Sequence, residues 1–188
     1  MSPTRSLTLP LLVELAREMA NSGQRTLLGV TGAPGAGKST VTAAIVNALG
    51  PDLAVIAPMD GFHMLNEKLI SLGRRDRKGA PDTFEVEEFL SLLTAIKNQT
   101  EDVLLAPDFD RTIDAPREAA ITIKKSVPLV ITEGNYLLHA HGGWEHVMPL
   151  LTQSWFVMLD DEVRHERLIR RHMSFGMNEA QARAWTLG

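Results

Sequence analysis

The stretch Gly32-Ala33-Pro34-Gly35-Ala36-Gly37-Lys38-Ser39 decides the fold, because it matches the pattern G-x-x-x-x-G-K-[S/T] at every fixed position. Glycines at these positions let backbone N–H groups turn inward around an anion, where side chains would obstruct them. A buried strand is predicted before the motif, over Thr26–Thr31, and a helix after it, over Ser39–Leu49. This order predicts a phosphate-binding loop (P-loop), with the positive end of the helix dipole facing the phosphates.

The residues of this loop have separate expected roles in binding a nucleoside triphosphate. The Lys38 ammonium group is expected to reach the β- and γ-phosphates, and the Ser39 hydroxyl to bind Mg²⁺. We therefore predict ATP and Mg²⁺ as ligands, with Lys38 also contributing to catalysis. The predicted nucleotide-binding residues of the loop are Gly32, Ala33, Pro34, Gly35, Ala36, Gly37, Lys38, Ser39 and Thr40.

Outward from the loop, apolar segments alternate with helical ones along the whole chain. Further strands are expected over residues 53–59, 128–132 and 154–159, and a helix is expected to begin near Asp82. Short strands over 103–106 and 121–123 are expected to flank a turn-rich loop from Pro107 to Pro116. Continuous apolar strands separated by helices are typical of a parallel sheet covered on both faces. We predict a single α/β domain over residues 1–188, doubly wound in three layers around a mainly parallel sheet.

Capping residues indicate where two other helices begin. Thr8 is expected to cap a first helix that has Pro10 in its opening turn and ends at Gly23. Near the other end of the chain, Asn178 with Gln181 three residues later resembles a capping box. Both patterns predict helices that pack beside the sheet.

Composition narrows the class of protein. Of the 188 residues, 44% are hydrophobic and 22% charged, which is ordinary for one globular domain, and the net charge of −4 argues against general binding to nucleic acid or membranes. The absence of cysteine excludes disulfides, thiolate metal sites and a cysteine nucleophile. Since no signal peptide or membrane-length apolar run is visible, we expect a cytoplasmic protein. A homodimer is compatible with the sequence, which does not specify an oligomeric state.

A carboxylate follows the second predicted strand, in the segment Met59-Asp60-Gly61. Asp60 is expected at the carboxyl edge of the sheet, where ligands bind in open α/β folds. A carboxylate beside the γ-phosphate suits an acceptor hydroxyl that must lose a proton. Asp-Gly is also a common turn, but its place after the second strand favours a catalytic base. The guanine-reading pattern N-K-x-D of GTP-binding switches does not occur in the chain.

Six segments together resemble the P-loop small-molecule kinases of the uridine kinase, phosphoribulokinase and bacterial pantothenate kinase group. They look most like a branch labelled fructose transport system kinases. The resemblance implies an ATP-dependent kinase that phosphorylates a hydroxyl of a small polar metabolite. In the order of the family, the segments are Gly32–Thr40, Pro58–His63, Arg77–Phe84, Pro107–Arg111, Glu133–Leu138 and Glu166–His172.

The resemblance also implies roles for residues outside the loop. In that family the aspartate matching Asp60 is the base, and the glutamate matching Glu133 stands near the Mg²⁺. The family closes an arginine-bearing helix over ATP as a lid, and Arg164, Arg167 and Arg171 share one face of the matching helix. Arg167 and Arg171 are expected to bind phosphates. Members usually continue beyond this point into a strand near the adenine, so the resemblance leaves open whether the chain is truncated after Gly188.

The sequence indicates the identity of the phosphate acceptor less clearly than that of the nucleotide. Uridine kinases carry an aspartate after the phenylalanine matching Phe84, whereas this chain has Glu85, and the aromatic residues that hold a nucleobase are not evident. A sugar held by hydrogen bonds is therefore favoured. The basic run Arg74, Arg75, Arg77 and Lys78 has two interpretations, a contact with an acidic substrate or phosphate and a solvated loop, of which the solvated loop is favoured. The candidate acceptor-binding residues are Asp60, His63, Arg111 and Asn135.

Three alternatives remain open at this stage. The first is a nucleoside or pantothenate kinase on the same scaffold, which differs only in its acceptor. The second is a regulatory or chaperone-like module that hydrolyses ATP without an acceptor. The third, an inactive nucleotide-binding relative, is disfavoured because none of the expected catalytic residues is missing.

Overall fold

Six strands form the sheets of the computed structural model, which describes residues 7–187. They are β1 (Thr26–Thr31), β2 (Ala54–Ile56), β3 (Val103–Asp110), β4 (Ala115–Lys124), β5 (Leu129–Gly134) and β6 (Gln153–Phe156). Four of them form a central parallel sheet in the order β2-β5-β1-β6, and β3 and β4 form a separate antiparallel hairpin. The helices are α1 (Leu9–Ala20), α2 (Lys38–Leu49), α3 (Asn66–Ser71), α4 (Val86–Lys97), α5 (Asp161–Ser174) and α6 (Glu179–Leu187).

Helices cover both faces of the sheet, so the predicted three-layer α/β fold is confirmed. On one face, Leu28 and Ile131 of the sheet are fully buried against Ala16 of α1 and Ile45 of α2. On the other face, Leu27 and Val130 belong to a second core, which α4 completes. Side chains along β1 alternate between the two faces of the sheet and pack into both cores, which explains why the whole strand is buried.

The register of the parallel strands brings their carboxyl ends together. Thr31 at the end of β1 lies opposite Gly134 at the end of β5, and Ile56 at the end of β2 lies opposite Ile131. The P-loop, Glu133 and the turn that follows β2 therefore emerge from neighbouring strands at one edge of the sheet. Ligands bind at this edge in open α/β folds.

Several predicted boundaries are confirmed and others are wrong. Strand β1 has the predicted bounds, and α2 begins one residue early, at Lys38. Strand β2 ends at Ile56 instead of residue 59, because Pro58 has no N–H for the ladder and a 3₁₀ turn follows over Met59–Phe62. Strand β6 ends at Phe156 rather than residue 159. Helix α4 begins at Val86, because residues 81–83 form a 3₁₀ turn before it.

The loop predicted from Pro107 to Pro116 is largely strand. Strands β3 and β4 continue to Asp110 and Ala115, so the turn is confined to residues 111–114. The prolines suit this hairpin because the ladder shifts register between Ala106 and Asp108, which leaves Pro107 at an irregularity that needs no N–H. The hairpin thus extends far enough to bring Phe109 and Arg111 over the edge of the sheet where the P-loop lies.

The two predicted helix starts have different outcomes. Thr8 occupies the N-cap position of α1, but its side chain makes no capping hydrogen bond. The capping box before α6 is confirmed, because Asn178 Oδ1 accepts from the Gln181 backbone and Gln181 Oε1 accepts from the Asn178 backbone. The ends of the predicted domain, residues 1–6 and 188, lie outside the described residues. Within residues 7–187, no helix has both the length and the apolar character needed to cross a membrane.

Candidate active site

A cavity of about 840 Å³ opens at the carboxyl edge of the sheet. Its volume lies in the range of small-molecule sites. The P-loop lines one end and the hairpin the other, with the Asp60 turn, the end of β5 and helix α5 between them. The structure thus brings candidates from distant parts of the sequence to one cavity, namely Lys38, Ser39, Asp60, His63, Arg111, Glu133, Asn135, Arg164, Arg167 and Arg171.

Lys38 is anchored at the bottom of the P-loop. Its ammonium group donates to the carbonyl oxygens of Gly32 and Ala33 at 2.9 and 3.1 Å and to Asn135 Oδ1 at 2.5 Å. Burial lowers the pKa of Lys38, and nearby Arg171 adds to this effect, whereas the carboxylates of Glu133 and Asp60 oppose it. Asn135, predicted to bind the acceptor, therefore contacts the lysine that is predicted to be catalytic.

Ser39 and Glu133 form an oxygen-rich pair beside the loop. The Ser39 hydroxyl donates to Glu133 Oε1 at 2.9 Å, and the fully buried Thr42 donates to Glu133 Oε2 at 3.0 Å. Mg²⁺ prefers hard oxygen ligands and usually keeps several waters, so one hydroxyl with one nearby carboxylate fits this ion. Thr42 was not predicted, although its position one helical turn from Ser39 could have suggested that both residues face the same side.

Asp60 lies in the 3₁₀ turn that follows β2, and Arg111 of the hairpin contacts it. The distance from Arg111 Nη2 to Asp60 Oδ2 is 3.3 Å, and both side chains are partly exposed. Space for this contact depends on Gly61, because a Cβ there would overlap the carbonyl of Pro107. Arg111 was predicted to bind the acceptor, and the structure places it on the predicted base.

His63 is held between two aromatic rings at the wall of the cavity. The ring centroids of Phe84 and Phe109 lie 4.1 and 4.6 Å from that of His63. Nδ1 is 2.7 Å from the carbonyl oxygen of Asp60, which can only accept, so Nδ1 carries the proton. Burial lowers the pKa of His63, which keeps the ring neutral at neutral pH. His63 therefore packs between two rings at the cavity wall, and Nε2 is the ring nitrogen left after Nδ1 binds Asp60.

The three arginines of α5 all line the cavity, as their spacing predicted. The helix lies directly on the P-loop: Gly35 has φ of +81°, and a Cβ there would come within 2.9 Å of Leu168. Arg164 is bound to Asp161 at 2.8 Å, whereas Arg167 lies beside Gly37. Burial lowers the pKa of Arg171, and the positive charge of Arg111 lowers it further. An anion between these two arginines would relieve this repulsion.

Aromatic side chains are more concentrated at the cavity than the 5% aromatic content suggested. Phe84 and Phe109 lie against His63, and Phe175 and Trp185 also line the cavity with largely exposed rings. Sequence reasoning missed Phe175 and Trp185 because they lie just after α5 and in α6, outside the motifs that carried the site predictions.

The sheet order, the P-loop and this arrangement of a lysine, a carboxylate and an arginine-bearing helix define a P-loop kinase fold. A model of the methylmalonyl Co-A mutase-associated GTPase MeaB family matches residues 6–61, which span β1, the P-loop, α2 and β2. A crystal structure of a kinase YFH7 from Saccharomyces cerevisiae has a TM-score of 0.82 at 18% identity, covering 95% of this chain and 91% of that one. This likeness concerns the fold.

More similar proteins identify the family. "Putative uridine kinase C227.14" of Schizosaccharomyces pombe is 33% identical over 88% of this chain and 74% of its own length. YggC, an uncharacterised protein of Escherichia coli, is 34% identical over 94% of this chain and 74% of its own. A crystal structure described as a "putative fructose transport system kinase" from Silicibacter has a TM-score of 0.83 at 33% identity, covering 97% and 90% of the two chains. The chain belongs to the P-loop kinases of the uridine kinase and YFH7 group.

Proposed function

We propose that the protein transfers the γ-phosphoryl group of ATP to a hydroxyl of a small polar metabolite of the sugar class. One observation carries the proposal: Asp60 lines the same cavity as the P-loop, between that loop and the hairpin. A kinase that phosphorylates an alcohol needs such a carboxylate beside the transferred group. Hydrolysis of ATP without an acceptor would not require the polar compartment beyond Asp60.

The residues divide the work of the transfer among them. The acceptor oxygen forms a bond to the γ-phosphorus while the bond from that phosphorus to the ADP oxygen breaks, and Asp60 takes the hydroxyl proton. Arg111 holds Asp60 Oδ2 at 3.3 Å, so Oδ1 is the oxygen oriented to accept this proton. Lys38, with Arg167 and Arg171, places positive charge where negative charge develops on the phosphoryl oxygens.

A magnesium ion fits this site through the oxygen atoms of Ser39 and Glu133. When bound, it would neutralise charge on the β- and γ-phosphates. Ser39 is the direct ligand in this proposal, because its hydroxyl lies at the start of α2. Glu133 holds the Ser39 hydroxyl in place, and Thr42 fixes the second oxygen of Glu133. The polar residues Asp60, His63, Arg111 and Asn135 remain the proposed contacts on the acceptor side.

A coupled assay of ADP release with candidate acceptors tests the proposal. We expect little ADP release from ATP and Mg²⁺ alone and a strong increase with a sugar or polyol, accompanied by a phosphorylated product in stoichiometric amount. Nucleosides and pantothenate serve as competing acceptors in the same assay. Equal ADP release with and without every acceptor would contradict kinase activity and favour an ATP-hydrolysing module.

Helix α5 is expected to become more protected when nucleotide binds. Residues 166–172 carry clustered arginines that repel one another until a triphosphate lies between them, and closure would exclude water from the transferred group. Hydrogen exchange of this segment should slow on addition of a non-hydrolysable ATP analogue with Mg²⁺. Helix α4, none of whose residues lines the cavity, provides the internal control and should exchange at the same rate with and without the analogue. Unchanged exchange in α5 would contradict its role as a lid.

A further inference from the structure

The basic run from Arg74 to Lys78 does not behave as one solvated loop. Arg74 and Arg77 both pair with the Asp82 carboxylate outside the cavity lining, with shortest nitrogen–carboxylate distances of 3.5 and 2.5 Å. Arg75 and Lys78 instead line the cavity, where both contact Asp114 of the hairpin turn. The tertiary structure therefore divides four similar side chains between solvent and the cavity.

Arg75, Lys78 and Asp114 lie with the hairpin at the end of the cavity away from the P-loop. We call this end the acceptor compartment. It is lined by His63, Arg75, Lys78, Phe109, Arg111 and Asp114. Asp60 and Asp114 are its carboxylates, and Arg75, Lys78 and Arg111 are its cations. The compartment is thus positive, although the whole chain has a net charge of −4.

Lys78 and Arg75 differ in how many of their hydrogen-bond donors already contact other described residues. The Lys78 side chain is only 9% exposed, and its ammonium group already contacts Asn66 Oδ1, the Asp114 carbonyl and Asp114 Oδ2. Lys78 therefore holds the hairpin turn in place. Arg75 is 48% exposed, and the hydrogen bond it makes to another described residue uses a single guanidinium nitrogen, Nη2, on Asp114. Most of its planar fork remains available to a ligand.

We propose that the acceptor carries an anionic group, a carboxylate or a phosphate, and that Arg75 binds it. This inference rests on the proposed function, because Asp60 must at the same time receive a hydroxyl of the same molecule. Guanidinium groups bind carboxylate and phosphate oxygens in a bidentate manner. Arg75 can bind in this way, because most of its N–H donors are not engaged by other described residues. Arg75 is then a specificity-determining residue that selects an acidic sugar or polyol over its neutral counterpart.

The triphosphate does not account for Arg75. Lys38, Arg164 and Arg167 contact or lie beside the P-loop, where the phosphates bind. Arg75 instead contacts Asp114, in the hairpin turn whose Arg111 contacts Asp60. Its charge therefore faces the part of the cavity that the acceptor fills.

Matched sets of acceptors test this inference. Each set contains a neutral polyol of three to six carbons, the corresponding hydroxy acid and the corresponding phosphate ester, such as sorbitol, gluconate and sorbitol 6-phosphate. Binding is measured as the shift in melting temperature with ADP and Mg²⁺ present, and turnover as ADP release. We expect a charged member to give the largest shift and the lowest KM, and comparison of the acid with the ester identifies the anion.

Arg75→Gln with Arg77→Gln as its control assigns the effect to one residue. Both arginines are half-exposed in the same 3₁₀ turn, but Arg77 pairs with Asp82 outside the cavity. Arg75→Gln should raise KM for the charged acceptor by about 10- to 100-fold, because a hydrogen bond to a charged group is lost. The KM for ATP and for a neutral acceptor should change little, and Arg77→Gln should resemble the wild type.

The outcomes separate this inference from the proposed function. If neutral members alone bind and stimulate ADP release, the anion assignment is overturned and the kinase proposal stands. If charged members raise the melting temperature but no member stimulates ADP release, the kinase proposal fails and the anion site stands. If no charged member binds better than its neutral partner, or if both glutamine variants behave alike, the inference is overturned.

Discussion

Asp60→Asn is expected to lower kcat by about 10²–10⁴-fold, or roughly 3–5 kcal/mol of transition-state stabilisation, because asparagine cannot take the acceptor proton. The substitution preserves the shape of the side chain and leaves an oxygen for the contact from Arg111 Nη2, 3.3 Å away in the wild type. The KM for ATP should change little, since the P-loop holds the phosphates. The measurement is kcat at saturating ATP and acceptor over a series of Mg²⁺ concentrations.

Asp102→Asn provides the control for the loss of one carboxylate, because Asp102 is exposed and lies before β3, outside the cavity lining. A loss below about threefold for Asp60→Asn would reject the base assignment, since removal of a general base costs far more. A loss that excess Mg²⁺ reverses would instead assign Asp60 to organising the metal. Asparagine is also accepted in turns, so a residue needed only for the turn would tolerate the change.

Lys38→Ala is expected to reduce kcat by about 10²–10³-fold, the range found when one charge-stabilising donor is removed from a transition state. The fold should remain, because the hydrogen bonds of Lys38 go to two loop carbonyls and Asn135 rather than to the apolar cores. The matched measurement is kcat together with the melting temperature of the variant and of Lys97→Ala, whose exposed side chain contacts Pro149 far from the P-loop.

Two results would contradict the assignment of Lys38. Wild-type turnover in Lys38→Ala would show that this loop is not the site where ATP reacts. A melting temperature far below that of Lys97→Ala would show that the lysine mainly supports the structure. Asn135→Ala refines the interpretation, because loss of the 2.5 Å contact should lower kcat through the position of the Lys38 ammonium group, whereas loss of a contact with the acceptor should raise the KM for the acceptor.

The sequence by itself determined the parts of the molecule whose information is local. Strand β1, the P-loop and α2 follow one another without interruption, and the motif itself requires a buried strand before it and a helix after it, so it predicted all three within one residue. Buried apolar runs predicted the parallel sheet, because a strand covered on both faces must be apolar throughout. The same runs predicted that Asp60 and Glu133 emerge at the ligand-binding edge.

The predicted strand boundaries were wrong where the tendency of proline to end a strand competes with pairing to a neighbouring strand. Pro107 and Pro116 predicted a long loop, but a two-stranded hairpin leaves outer edges and an irregular register at which proline is tolerated. Strand β2 is shorter than its apolar run because the segment leaves the sheet at Pro58 to form the 3₁₀ turn of Asp60. Such choices depend on whether a neighbouring strand is present, which a single sequence does not specify.

Only the tertiary structure decided which side chains contact one another in the cavity. Asn135 contacts Lys38, Arg111 contacts Asp60, and Arg75 turns into the cavity while Arg77 turns away. The partners in these contacts are as much as 97 residues apart, and a side chain's partner at such a separation depends on strand order and loop path rather than on residue type. Charged side chains of one kind are chemically equivalent in the sequence, and the packing of the hairpin against the Asp60 turn is what makes them different.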